Sequence, residues 1–198
     1  ATPSQLLEFL FKWQHVHPKT RLYGENGLLD VAELLQGFEC PAGVLEAELL
    51  GARLVDYQAS QLDQLCLAGN VVWGRFSKQT NQDLPSARST PLNRTTPISI
   101  ALRESLPWLL NNVLEIAQVS NRLGGSYRDI LELLNNRGAL FTSEIANAAN
   151  RLRSDVDETL WKLAALGLVT TDGFFPLRGR VERTVLMKSR YSRIRRDH

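Results

Sequence analysis

The sequence predicts a mainly α-helical fold with short β-hairpins, and three observations carry that expectation. The first is the stretch Ser154 to Leu177, SDVDETLWKLAALGLVTTDGFFPL. Val156, Leu160, Leu163, Ala164 and Leu166 fall on one helical face, and Gly167 stands where a left-handed C-cap favours glycine. Leu168-Val169-Thr170 is β-prone, Asp172-Gly173 is a hairpin signal, and Phe174-Phe175-Pro176-Leu177 is the returning strand. The second observation is the same order earlier in the chain, where Leu62, Leu65 and Leu67 precede Gly69 and then Val71-Val72-Trp73-Gly74. The third is that helical patterns precede both copies. Helices followed by a hairpin are the order of a winged helix. Two copies predict two winged-helix units in tandem rather than a solenoid.

The elements follow in order. Thr2-Pro3-Ser4-Gln5 is a compact helix start, with proline at the first helical position and glutamine placed for a capping box. Leu6, Leu7, Leu10, Phe11 and Trp13 form a wide apolar face, which predicts a buried helix ending near Pro18. Tyr23 to Gly27 reads as a turn, Leu28 to Gln36 as a second helix stopped by Gly37, and Pro41 as the opening of a third. Ser60 is the expected cap of a fourth helix, which runs to Leu67 and stops at Gly69. Val71 to Phe76 and Pro97 to Arg103 read as paired strands. Leu106 opens a helix to about Val119, and Ser126, Thr142 or Ser143, and Ser154 open the three helices of the second unit. The expected borders are 1–119 for the first unit with a long wing loop at 77–96, 120–125 for a linker, 126–177 for the second unit and 178–198 for a basic tail.

Composition is that of an ordinary globular chain, 43% hydrophobic and 22% charged, with no apolar run long enough to span a bilayer. Absence of a signal-peptide pattern and a start at Ala-Thr-Pro, with Met187 as the only methionine, lead to the expectation of a piece of a longer or processed polypeptide. Cys40 and Cys66 lack Cys-x-x-Cys spacing and read as buried free thiols in a reducing compartment. With His15 and His17 they also lack finger spacing, so no metal site is expected. The net charge of +2 hides an asymmetry: residues 178–198 hold eight basic and two acidic residues, whereas the rest holds 15 basic and 19 acidic. A basic end on a mildly acidic body is the pattern of an arm for a polyanion.

Several runs resemble a known family. Phe9-Leu10-Phe11-Lys12-Trp13-Gln14-His15-Val16, Arg21-Leu22-Tyr23-Gly24 and Leu34-Leu35-Gln36-Gly37-Phe38-Glu39-Cys40-Pro41-Ala42 are similar to the large helicase-related (Lhr) proteins of bacteria. So are Leu62 to Gly69 with Val72-Trp73, Arg94-Thr95-Thr96-Pro97-Ile98, and Gly167 to Thr170 with Asp172-Gly173-Phe174. The resemblance implies a segment beyond the ATP-driven core of a bacterial DNA-repair helicase, in a C-terminal region of tandem winged helices. It implies a cytoplasmic, nucleoid-associated protein. It also implies that ATP and magnesium belong to the core and that this segment carries no cofactor. The sequence itself holds no Gly-x-x-x-x-Gly-Lys-Ser/Thr phosphate loop. The region is similar too to winged-helix DNA glycosylases, which carry a Gln-x-Gln pair. Gln58, Gln61 and Gln64 here stand three apart, which is helical periodicity and departs from that motif.

The nucleic-acid candidates are cations. Arg178, Arg180, Arg183, Lys188, Arg190, Arg193, Arg195 and Arg196 would neutralise phosphates, with Tyr191 stacking on a base; the alternative is a solvated linker. Lys78, Arg88 and Arg94 place positive charge in the wing, read either as phosphate contacts or as an ordinary surface loop. The helix after Ser154 opens with Asp155, Asp157 and Glu158, which would repel phosphate, so it is expected to pack on other domains rather than enter a groove. Trp13, Trp73, Trp108 and Trp161 read as core. For glycosidic-bond hydrolysis Asp197 beside Arg196 is the candidate catalytic carboxylate, with Asp30 and Asp56 as alternatives and a disordered chain end as the competing reading. Three functions stand: a DNA-binding scaffold segment, part of a uracil or alkylated-base glycosylase, and an oligomerisation or partner-docking module. The expected partners are single-stranded or damaged DNA, the helicase core of the same polypeptide and a second copy, with no membrane.

Overall fold

The computed structural model of the chain describes residues 2–77, 91–110 and 124–182. Helix α1 (Pro3–Trp13) starts on a reciprocal cap: Thr2 Oγ1 accepts from the Gln5 N–H at 3.3 Å, and Gln5 Oε1 accepts from the Thr2 N–H at 2.9 Å. Strand β1 (Leu22–Tyr23) leads into α2 (Gly24–Leu35), whose Leu28, Val31, Ala32 and Leu35 make one buried stripe. Then come β2 (Cys40–Pro41), a π-helical turn (Leu45–Leu50), α3 (Gly51–Arg53), β3 (Leu54–Val55) and α4 (Ala59–Leu67). Strands β4 (Val71–Gly74) and β5 (Pro97–Leu102) precede a 3-10 turn (Arg103–Ser105) and α5 (Leu106–Leu109). Helices α6 (Gly125–Arg137), α7 (Thr142–Ala148) and α8 (Arg153–Ala165) follow, and α9 covers residues 175–182.

The first unit has winged-helix topology. Strands β4 and β5 pair antiparallel with Trp73 opposite Ile100, and β2 pairs along the other edge of β5 with Cys40 opposite Ile98. The sheet order is therefore β2-β5-β4, the helices α2 and α4 pack against it, and the β4–β5 connection is the wing. A separate parallel pair, β1 with β3, ties the start of α2 to the end of α3. The core beneath the sheet is Leu28, Val31, Leu62, Val71, Trp73, Ile98 and Ile100. The second unit has its own small core of Ile130, Leu131, Ile145, Val156 and Leu163, drawn from α6, α7 and α8.

Four expectations are corrected. First, residues 168–177 do not form a hairpin: they turn and enter α9. Phe174, Leu177 and Val181 lie at helical spacing and pack into the core of the first unit, far in sequence from its strands. Pro176 suits this, since it has no N–H for a strand ladder but fits the first turn of a helix. The second unit thus keeps its three helices without the predicted wing, and α9 crosses the expected border at 177. Second, α1 is not buried. Leu6, Leu7, Phe9, Leu10, Phe11 and Trp13 are each 36–59% exposed, because the stripe of α2 already fills the site beneath the sheet. Third, Trp13 and Trp108 are exposed and Trp161 is half-buried, leaving Trp73 as the fully buried tryptophan. Fourth, several starts move. Helix α2 begins at Gly24 rather than Leu28, Pro41 lies in a strand, and α4 is capped by Gln61 Oε1 accepting from the Gln58 N–H at 3.0 Å rather than by Ser60. The expected helix from Leu106 is described as far as Leu109, and its continuation and the linker up to residue 123 lie outside the described residues.

Candidate nucleic-acid interface

The wing leaves the sheet at β4 and returns to it through a braced turn. Asn93 organises that turn: its N–H donates to Thr96 Oγ1 at 3.0 Å, and its Oδ1 accepts from the Thr95 N–H at 2.9 Å. The turn is stitched to the segment after β2, where the Ala42 N–H donates to the Thr96 carbonyl and the Gly43 N–H to the Arg94 carbonyl, both at 3.0 Å. Buried Leu92 anchors the same turn to α8, its N–H donating to the Trp161 carbonyl at 3.2 Å. Gly43 makes the fit possible, because a Cβ there would lie 2.3 Å from Arg94 Cγ. The stem of Arg94 therefore lies across Gly43, and its guanidinium is exposed with no carboxylate partner among the described residues.

Arg178 has the opposite character. Its Nε donates to Glu46 Oε2 at 2.8 Å and its Nη2 to Glu46 Oε1 at 2.9 Å. Its Nη1 donates to Asp63 Oδ2 at 3.0 Å, and its guanidinium lies 5.7 Å from the centre of the Phe174 ring. The hydrogen bonds to Glu46 lead the causes that raise its pKa still further. Tyr57 completes the cluster, its hydroxyl donating to Glu46 Oε1 at 2.6 Å, and burial first, then Glu46, pushes that phenol well above its ordinary range. Arg178 thus clamps α9 to the π-helical turn and to α4, and its charge is neutralised inside the fold. Arg180 is engaged as well, 5.8 Å from the centre of the Trp161 ring and 4.0 Å from Asp157 Oδ2. Within the fold, therefore, Arg178 pairs with Glu46 and Asp63, and Arg180 faces Asp157 and the Trp161 ring.

The clamp also fixes α4. In a winged helix this third helix is the usual groove reader. Here its Asp63 and the Ala59 carbonyl face Arg178, so the start of α9 covers one flank of α4. In the second unit, Glu158 pairs with Lys162 at 2.7 Å, an i,i+4 contact along α8, and the hydrogen bond to Lys162 lowers the Glu158 pKa. Trp161 and Ala164 of α8 meanwhile pack against the first core. Segment 170–174 docks on β4: Thr170 Oγ1 donates to the Trp73 carbonyl at 2.6 Å, Trp73 Nε1 donates to the Gly173 carbonyl at 3.1 Å, and Phe174 meets the Trp73 ring edge-on at 6.2 Å.

The remaining candidates are distributed as follows. Lys78, Arg88, Arg183, Lys188, Arg190, Tyr191, Arg193, Arg195, Arg196 and Asp197 lie outside the described residues. Asp30 and Asp56 are exposed on the body. Cys40 and Cys66 are free and buried, and burial pushes the Cys66 thiol up to about 12, so neither is an activated nucleophile. Among the described residues no group of three or more His, Cys, Asp or Glu side chains could hold a metal ion. The sequence reading missed Glu46, Tyr57, Asp63 and Gly43. Only the position of Arg178, four residues after Phe174 and next to Leu177 on a continuous helical stripe, hinted that it would point inward.

Residues 1–87 match the model of the winged-helix domain of the large helicase-related protein. A protein named Lhr helicase/probable uracil glycosylase from Mycolicibacterium smegmatis is 30% identical over 172 residues, which is 86% of this chain and 10% of that protein. A protein named Lhr helicase/uracil glycosylase from Escherichia coli K12 is 29% identical over 161 residues, 78% of this chain and 10% of that protein. The chain spans about a tenth of the length of these relatives.

Proposed function

The chain belongs to the C-terminal region of the large helicase-related (Lhr) family, and on that premise we propose that it is a nucleic-acid-binding and scaffold segment of a DNA-repair helicase. The observation that carries the reading is the wing. Its base is braced to both units, and it presents Arg94 without a carboxylate partner among the described residues. Arg178, by contrast, is paired within the fold with Glu46 and Asp63, and Arg180 faces Asp157 at 4.0 Å. Neutralising phosphates with unpaired cations releases counterions, and that is the main source of sequence-independent affinity for nucleic acid. We assign the same role to Lys78 and Arg88 in the wing and to Arg183, Lys188, Arg190, Arg193, Arg195 and Arg196 in the tail, with Tyr191 stacking on a base. The covered flank of α4 and the acidic start of α8 support a binding mode that does not place either helix in a groove. ATP and magnesium belong, in this reading, to a helicase core elsewhere in the polypeptide.

A second reading is favoured by the names of both relatives, which include a uracil glycosylase. In it this segment supplies part of a base-excision site, with Asp197 as the carboxylate facing the sugar. A third, a docking module, is favoured by the exposed apolar face of α1. One experiment separates the three. Labelled single-stranded and duplex DNA, each with one uracil, is incubated with the chain and with Asp197→Ala, followed by hot alkali and, in parallel, a binding titration. Binding without strand cleavage is the expected outcome. Cleavage lost in the variant establishes the second reading, and absence of both binding and cleavage leaves docking.

A further inference from the structure

Beside Arg94 lies a cavity of about 230 Å³, bounded by the turn after β2, the base of the wing and α9. It is lined by the apolar side chains of Ala42, Ala47, Leu177 and Val181, by the paired Glu46 and Arg178, and by Arg94 and Glu182. The volume is below the roughly 300–1,000 Å³ of clefts that take drug-sized ligands, so it suits a single small ring system. The chemistry inside is specific. Glu46 accepts three hydrogen bonds, two from Arg178 and one from Tyr57. A carboxylate offers about four lone-pair sites, and the one left belongs to Oε2, which accepts only from Arg178 Nε. Arg178 is shared between Glu46 and Asp63 and offsets part of their charge, so an incoming N–H meets a hydrogen-bonded, still anionic acceptor. Apolar walls, an acceptor on Glu46 and an arginine with no carboxylate partner among the described residues are features that recognise a base taken out of its stack, and Glu182 adds a second carboxylate to the lining.

We infer that this cavity is a nucleobase subsite: one unstacked base of a bound single strand enters it, an N–H of the base edge donates to Glu46, and Arg94 holds the adjoining phosphate. The inference rests on the nucleic-acid-binding reading above and adds to it where, and in what conformation, a nucleotide is held. No other element needs to move, because the Asn93 turn and the Arg178 clamp hold both sides of the cavity in place.

The test uses the 198-residue chain and a single-stranded oligonucleotide with one 2-aminopurine, whose emission rises when the base leaves its neighbours. Ala47→Trp fills the cavity from an exposed position, and Arg94→Gln removes the Arg94 charge from its lining. Binding is followed by anisotropy and unstacking by emission, on variants whose circular dichroism matches the parent. The expected result is enhanced emission with the parent chain. Ala47→Trp should then lose most of that enhancement with affinity reduced no more than about threefold, and Arg94→Gln should lose about tenfold in affinity. Unchanged enhancement with Ala47→Trp overturns the subsite and leaves DNA binding intact. If Ala47→Trp does not fold, undiminished affinity and enhancement with Arg94→Gln overturn it instead. No binding by the parent chain overturns both the subsite and the reading beneath it.

Discussion

At the scale of residues, environment decides chemistry. Cys40 and Cys66 were legible as buried thiols, since isolated cysteines without ligand spacing usually sit in apolar patterns, and the structure buries both. The arginines were not legible, because a sequence shows their charge but not the carboxylate 115 or 132 positions away that meets it. Cys66 carries a measurable consequence. Burial raises its pKa from 9.0 to about 12, so the unfolded chain loses this proton at a lower pH than the folded one. Its contribution to stability is full below pH 9 and is lost as pH rises from about 9 towards 12. The urea midpoint is predicted to fall over that window, and Cys66→Ala is predicted to flatten the fall, measured against the same variant at pH 7. A midpoint with identical pH dependence in both proteins would remove Cys66 from the account.

At the scale of elements, glycines marked helix ends well. Gly37, Gly69 and Gly167, each read as a helix stop, all adopt positive φ, as does Gly138 at the end of α6. Gly167 is required for a second reason, since a Cβ there would lie 2.3 Å from the Arg75 carbonyl oxygen. The hairpin at 168–177 was misread because local turn chemistry, Asp172-Gly173, lost to tertiary burial of Phe174 and Leu177. The face of α1 was misread for the reverse reason: a helical apolar stripe says that burial is favourable, not that this chain supplies the cover. The two cases separate in one comparison. Leu177→Ala is predicted to destabilise the chain by about 3 kcal/mol, the cost of a buried leucine cavity. Phe9→Ser on α1 is predicted to change stability by no more than about 0.5 kcal/mol, as exposed substitutions do. Equal effects of the two in urea unfolding would contradict the assignment of α9 to the core and of α1 to the surface.

At the scale of the molecule, the two units are joined more closely than a linker at 120–125 and a border at 177 imply. Helix α8 contributes to both cores, α9 packs on the first, and the wing base bonds to Trp161. Winged-helix topology of the first unit was legible because strands, glycine stops and the β4–β5 pattern are local. The joining was not, because it depends on contacts such as Thr170 with Trp73, 97 residues apart. The central claim is that cations left unpaired by the fold, and not those it consumes, meet nucleic acid. The most direct measurement is the salt dependence of single-strand binding by the chain, by Arg94→Gln and by Arg178→Gln. The account predicts that log K falls linearly with log salt, that Arg94→Gln makes the slope shallower by about 0.7, and that Arg178→Gln leaves it unchanged. A slope unaffected by Arg94→Gln, or reduced as much by Arg178→Gln, would contradict it.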